Sequence, residues 1–220
     1  MAVQVHDPPD VQLHPDFAVK AKGKYDEKWL PVAAYAVDVA NANITRNDFD
    51  KRTVAVASFD FGSPVQVRVS CGKTVHSAAI RPKSLGIKTH LHDNTILFSL
   101  DTPKDVMLEL NNNKWTALHV LTNKIEPASI LDNIWYFGPG INQGTVCPPT
   151  DGVNLLIPSN KTVYLAPGAF ITYRLNFLDV SNSAVRGHGF ILSPQGGYLV
   201  REHGGAILIS NASNIHIEGA

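Results

Sequence analysis

Two carboxylates stand at the same offset from two Ser-Asn pairs. Asp151 lies eight residues before Ser159, and Glu202 lies eight before Ser210. If both pairs are corners of one stacked repeat, the carboxylates fall two layers apart on one column. At ~4.8 Å per layer that separation is about 10 Å. Carboxyl groups about 6.5–9.5 Å apart can hydrolyse a glycosidic bond, one as acid and one as base to a water between them. Two features weigh against the pair. The glycine-rich stretch from Ser193 to Gly205 breaks the register, and Tyr173 takes the middle rung. Solvated loop carboxylates are the plainer reading.

Other side chains offer weaker chemistry. Gly187-His188-Gly189 sets an imidazole between two glycines. Glycines on both sides read as a bend, with His188 facing solvent. His90 and His92 share one face of a strand, with Asp93 following, and no third ligand accompanies them. They read as an exposed strand entering a turn. Trp29, Trp115 and Trp135 could stack on pyranose rings, though indoles among short strands more often pack inside. Trp115, beside the turn Asn111–Asn113, is the best placed for exposure. Arg201, Glu202 and His203 could meet an acidic sugar, and a solvated loop is again plainer. No residue is assigned a catalytic, cofactor-binding or metal-ligating role, and no cofactor is expected.

The elements that must position these groups come in two styles. In the final third a pattern recurs around Ser159-Asn160, Ser181-Asn182 and Ser210-Asn211. Each unit is a short apolar strand, an Asn corner, an alternating strand and a glycine bend. Such units stack as coils of a parallel β-helix, because one coil cannot bury its own inner face. The Ser-to-Ser spacings are 22 and 29 residues, and the excess in the second is the stretch Ser193–Gly205. Trp135-Tyr136-Phe137-Gly138-Pro139-Gly140 opens this style of sequence.

Upstream, residues 17–126 hold short alternating strands. They include Phe17–Lys22, Trp29–Val39, Thr53–Phe61, Val65–Ser70, Thr95–Leu100, Asp105–Leu110 and Leu118–Thr122. His92-Asp93-Asn94 and Asn111–Asn113 supply tight-turn residues that tolerate the left-handed backbone. Regular strands with turns between them predict an antiparallel β-sandwich. The expected fold is therefore all-β: a sandwich over 1–128, then the first coils of a right-handed parallel β-helix over 129–220, incomplete at Ala220.

Composition bounds the rest. The 220 residues are 44% hydrophobic, enough for a core, and 19 basic residues balance 19 acidic ones. That balance argues against nucleic acid and against a membrane anchor as partners. No apolar run approaches the roughly 20 residues that span a bilayer. The first ten residues show no basic-then-apolar signal peptide. Cys71 and Cys147 fit either one disulfide or two reduced thiols. Sequons at Asn43, Asn160 and Asn211 are near chance abundance, and the last two coincide with corners.

Trp135–Gly140, Ser159–Phe170 and Val185–Ile191 resemble the opening coils of β-helical glycoside hydrolases of the polygalacturonase clan. The dextranase and isopullulanase branch is the most similar, since it carries a β-sandwich ahead of its β-helix. Ile80–Ile87, Asn94–Leu100 and Leu118–Pro127 extend the resemblance, so it covers roughly residues 60–220. It implies hydrolysis of a polysaccharide, an α-glucan or a pectin-like polymer, by paired carboxylates without a cofactor, and a secreted protein. In polygalacturonases the carboxylates sit in Asn-Thr-Asp and Asp-Asp motifs, supported by Gly-His-Gly and Arg-Ile-Lys. This chain has only the Gly-His-Gly triplet, and its last aspartate is Asp179. The expectation is an N-terminal portion whose catalytic coils lie beyond residue 220, inert by itself and self-associating through an open coil edge. The alternatives are a non-catalytic carbohydrate-binding module using Trp29 or Trp115, and a structural β-helix. A lyase is a further relative of the fold, but no acidic calcium cluster is visible.

Overall fold

The computed structural model describes residues 3–6, 11–43, 48–125, 133–142, 153–192 and 205–219, with the side chains of 40–43, 48 and 49 left aside. The chain divides into a first unit built on Gln12–Glu126 and a second built on Pro127–Ala220. The expected boundary at 128–129 lies outside the described residues.

In the first unit the described strands are β1 Val3–Val5, β2 Phe17–Gly23, β3 Leu30–Val32, β4 Ala34–Asn43, β5 Asp48–Phe61, β6 Val65–Cys71, β7 Ala78–Arg81, β8 His90–His92, β9 Thr95–Leu100, β10 Val106–Leu110 and β11 Asn113–Asn123. They form two sheets. One is ordered β1-β5-β11-β10-β7 with β4 also on β5, and the other β3-β2-β6-β9-β8. Period-two sequences make this arrangement. In β2, Phe17, Val19 and Ala21 are buried while Ala18 and Lys20 are exposed. β6 and β9 repeat the pattern with Val65, Val67, Val69 and with Ile96, Phe98, Leu100. The inner faces of both sheets meet in one apolar core that includes Phe59, Phe61, Val67, Phe98, Leu108 and Leu118. Burying a side chain the size of Phe98 stabilises by about 1.5–3 kcal/mol before the entropy of ordering is subtracted.

Two details depart from the sequence reading. The segment Trp29–Val39 is not one strand. It breaks at Ala33, so β3 pairs with β2 in one sheet and β4 with β5 in the other. Pro31, lacking an N–H, is tolerated because β3 is an edge strand. The unit is also not wholly antiparallel: β5 and β11 run parallel, Leu118 opposite Ala55 through Asn123 opposite Asp60. Five strands separate them in sequence, long enough for the crossover that parallel neighbours require. The predicted turns hold. Asp93, Asn111 and Asn112 have positive φ, and Asn111 Oδ1 accepts hydrogen bonds from the backbone N–H of His76 and Ser77.

The second unit's described strands are β12 Ile134–Phe137, β13 Gly140–Asn142, β14 Asn154–Leu156, β15 Thr162–Leu165, β16 Ala169–Ile171, β17 Arg174–Leu178, β18 Ser181–Gly187, β19 Phe190–Ile191, β20 Ile207–Ser210 and β21 Ser213–Ile217. They form three ladders: β12-β15-β18-β21, β13-β16-β19 and β14-β17-β20. Each strand thus pairs with the third one after it, and each of these pairings is parallel. Three strands per turn, stacked in parallel, is a β-helix-like fold. Its inside is filled by Phe137, Val163, Leu165, Ile171, Leu175 and Phe177.

The stacking register corrects the repeat read from sequence. Ser159 and Ser181 do stack, with the Ser181 N–H donating to Ser159 Oγ at 2.9 Å. The next residue on that column is Ser213, not Ser210. Asn160, Asn182 and Asn214 all have positive φ, and each later amide donates to the Oδ1 of the one before. Asn211 bonds the Asp179 carboxylate, one column over. Ser210-Asn211-Ala212-Ser213-Asn214 contains the corner signature twice, so the sequence offered two registers 3 residues apart. Hydrogen bonding between rungs selects the second, because only that one also places Leu178 on Ser210 and Val185 on Ile217.

Candidate functional site

The four-stranded ladder presents an outward column one rung at a time. In β15, Val163 and Leu165 point inward, so Tyr164 between them points out. Tyr136 lies beneath Tyr164, and Arg186 lies above it. The two phenol rings stack, with centroids 5.9 Å apart and planes 10° from parallel. Tyr136 is 49% exposed. Above Arg186 sits Glu218, whose Oε1 is 3.2 Å from the guanidinium Nε. His216, the outward residue of β21, bonds the other Glu218 oxygen at 2.7 Å. A row of aromatic edges, phenol hydroxyls and a held carboxylate suits a sugar polymer, whose rings have apolar faces and hydroxyl rims.

Glu218 is held ionised. The hydrogen bond from His216 is the main cause, desolvation opposes it, the charges of Arg186 and His216 add to it, and the carboxyl sits below the usual glutamate range. The contribution of a depressed carboxylate to stability is present above its unfolded value and lost as pH falls through the folded one. We therefore expect an NMR titration of the Glu218 carboxyl to give a midpoint below that of free glutamate. His216→Ala should move it up further than Arg186→Ala. An unshifted midpoint would contradict the arrangement. Such a carboxylate accepts hydrogen bonds but is a poor general acid near neutral pH.

A hydrolytic pair is absent from the described part of this unit. Its described carboxylates are Asp179 and Glu218. Glu218 sits on the Arg186 rung, whereas Asp179 precedes Ser181. From Ser181 to Arg186 the strand covers about 17 Å at ~3.3 Å per residue, beyond any working carboxyl separation. Asp151 and Glu202 lie outside the described residues, as do Arg201, His203 and Cys147. The symmetry that linked Asp151 and Glu202 does not survive the register. Glu202 stands eleven residues, not eight, before Ser213, the true partner of Ser181. Tyr173, expected between them on the column, is buried in the core.

The remaining candidates are dispersed. The Gly187–Gly189 bend is real, but His188 does not face solvent; it is 9% exposed. The coil below explains why. The His188 N–H donates to Leu165 O at 2.9 Å, and a Cβ on Gly189 would lie 2.6 Å from Leu165 Cβ. On the next rung a Cβ added to Gly219 would lie 3.5 Å from the imidazole Cδ2, so that rung helps to cover the ring. Trp29, Trp115 and Trp135 are all half-buried, each with a cation over its ring, so Trp115 is not the exposed platform expected. His90 and His92 are exposed on β8, and among the described residues no cluster of three metal-ligating side chains occurs. Cys71 is a free thiol, pushed up to about 11 by burial and by the charge of Asp16.

Sequence reasoning missed the tyrosine column, although a signal was present. Tyr136-Phe137-Gly138-Pro139-Gly140 and Tyr164-Leu165-Ala166-Pro167-Gly168 share Tyr-x-x-Pro-Gly at a spacing of 28 residues. That is the rung spacing of β12 on β15. Arg186 and Glu218 carried no such mark.

The all-β second unit, with its stacked parallel coils, is β-helix-like. The chain is similar in structure to Dex49A from Penicillium minioluteum, a dextranase, with a TM-score of 0.61 and 16% sequence identity. The match covers 84% of this chain and 47% of that one, so the chain spans about half of that protein's length. No protein-family model matches the sequence. No curated protein matches it either.

Proposed function

We propose that this chain is the substrate-holding, N-terminal portion of a secreted polysaccharide-degrading glycoside hydrolase of the dextranase and isopullulanase branch. Its first unit is then the β-sandwich and its second the opening coils of a right-handed parallel β-helix. The Tyr136–Tyr164–Arg186 column carries this reading, because it sets sugar-compatible groups on successive rungs of a fold shared with a dextranase. A polymer lying along the column meets a new contact every ~4.8 Å. Among the described residues of the second unit the two carboxylates, Asp179 and Glu218, stand too far apart to act as a pair, which supports a holding role for these coils. A non-catalytic carbohydrate-binding role is the second reading, and it uses the same column. The outer edges of β20 and β21, where Ile209 and Ile217 are exposed, support self-association of the isolated chain.

Affinity electrophoresis through gels containing dextran or pullulan, the neutral glucans, tests the proposal. The chain should be retarded by at least one of them and release no sugar above a buffer blank. Tyr164→Ala should weaken retardation at least fivefold, the effect of about 1 kcal/mol typical of a central aromatic contact. Turnover by the 220-residue chain would refute the holding role. Retardation untouched by both Tyr136→Ala and Tyr164→Ala would refute the column.

A further inference from the structure

The balanced charge of the whole chain conceals a local separation. On the solvent face of the five-stranded sheet, Lys20 of β2 stands directly opposite Arg68 of β6. Lys22 follows two residues on, opposite Gln66. Like charges facing each other across neighbouring strands destabilise a sheet. Among the described residues no carboxylate lies within 4 Å of Lys20, Lys22 or Arg68; Lys22 Nζ instead donates to the Asp26 backbone carbonyl at 3.0 Å, and the Trp29 ring faces both Arg68 and Lys22. Elsewhere in the same unit Lys51 meets Asp38, Lys73 meets Asp16 and Arg81 meets Glu109. Two cations set directly opposite each other with no acid beside them are a local break in charge pairing, and such breaks mark functional sites.

The groups are also prearranged. The Trp29 ring lies 4.5 Å from the Arg68 guanidinium carbon and 5.2 Å from Lys22 Nζ. The indole face fixes the guanidinium without using its N–H donors, so the fork stays available for a carboxylate or sulfate. Beside it, Lys20, Arg68, Ser70 and Thr95 line a groove of about 150 Å³. A larger cleft of about 410 Å³ continues over the same face past Gln66, Leu97 and His90, with Lys88, Lys104 and Asp101 also lining it. Cations alternating with hydroxyl and amide side chains match a chain of sugars bearing one acidic group among several hydroxyls.

We infer that this face binds an acidic polysaccharide, one carrying uronate carboxylates or sulfate esters, through Arg68, Lys20 and Lys22. The choice of a polysaccharide rests on the function proposed above; the requirement for acid groups rests on this face alone. Nucleic acid fits less well. Its single-stranded form needs aromatic faces for base stacking, and Trp29 is engaged by Arg68 and Lys22. Its duplex form is typically held by about six to ten phosphate contacts, more than the cations of this face supply.

The test measures binding of the full chain to dextran sulfate, polygalacturonate and unmodified dextran at matched ionic strength. The acidic polymers should bind through this face, and more weakly as salt rises. Lys20→Gln combined with Arg68→Gln should weaken acidic-polymer binding at least tenfold, leave dextran unchanged and raise the Tm, because the opposed charges are gone. The charge-matched pair Lys51→Gln and Lys114→Gln should leave acidic-polymer binding intact. Tyr164→Ala, which probes the ladder column, should leave it intact too, so failure of either site can be told from failure of the other. Equal loss from both charge-matched doubles would mean attraction to net charge only and would overturn the site. So would an unchanged affinity in the Lys20/Arg68 double, or tighter binding of DNA than of either acidic polymer.

Discussion

Gly187→Ala should unfold the second unit while leaving the first one folded. Gly187 ends β18 with a φ of +110°, outside the left-handed well that other residues can reach. A Cβ built there lies 2.0 Å from Leu165 O and 2.8 Å from Leu165 C. Both are backbone atoms of the adjacent rung, so no side-chain rotation removes the clash. The ladder between β15 and β18 must open instead, and the His188 N–H loses its bond to Leu165 O. The expected cost is at least about 4 kcal/mol, from an inaccessible backbone angle together with a rigid overlap. Gly62→Ala is the control. Nothing lies within 4 Å of its added Cβ, and the expected change is within about 0.5 kcal/mol. Urea unfolding followed by hydrogen exchange of peptides from 162–187 checks both. A Gly187→Ala protein with unchanged exchange in that segment would contradict the rung spacing.

Phe177→Ala should have the next largest effect, about 3–5 kcal/mol. Phe177 is fully buried on β17, packed with Leu155, Ile157, Leu175 and Tyr173 inside the coils. Its removal leaves a void that three rigid ladders cannot collapse to fill. The next residue, Leu178, is 40% exposed, and Leu178→Ala should cost about 1 kcal/mol or less. The loss from Phe177→Ala should be confined to the second unit, because the two units have separate apolar cores. Hydrogen exchange resolves this: peptides from 162–185 lose protection, whereas peptides from 65–100 keep it. Equal losses in both would show a shared cooperative core instead.

What the sequence revealed depended on how local the signal was. Period-two burial in Phe17–Gly23 and Thr95–Leu100 is written in consecutive residues, so those strands were legible. The turns at Asp93 and Asn111 were legible for the same reason, since left-handed backbone selects Asn and Asp. Pairing direction is not local. Nothing in Leu118–Asn123 says that it joins Ala55–Asp60 in parallel, because that depends on the path taken by the five strands between them. Register fell between these cases. The Asn corner was recognised, but Asn211 and Asn214 both satisfy it, and only the bonds to Asp179 and Asn182 tell them apart. The candidate site was the least legible. Tyr136 and Tyr164 meet only after two coils close, and Arg186 meets Glu218 across 32 residues. The opposed cations Lys20 and Arg68 were hidden likewise, since overall neutrality says nothing about which face a charge occupies.

The account rests on coils stacked so that Ser181 lies beside Ser213. Its most direct test is a pair of cross-linking variants, with Cys71 and Cys147 replaced by serine. Neighbouring rungs are ~4.8 Å apart, within the Cα separation of about 4.4–6.8 Å that a disulfide spans. Ser181→Cys with Ser213→Cys should close an intramolecular disulfide under mild oxidation, whereas Ser181→Cys with Ser210→Cys should keep both thiols free. A bond in the second variant and none in the first, or free thiols in both, would contradict the parallel stack described here.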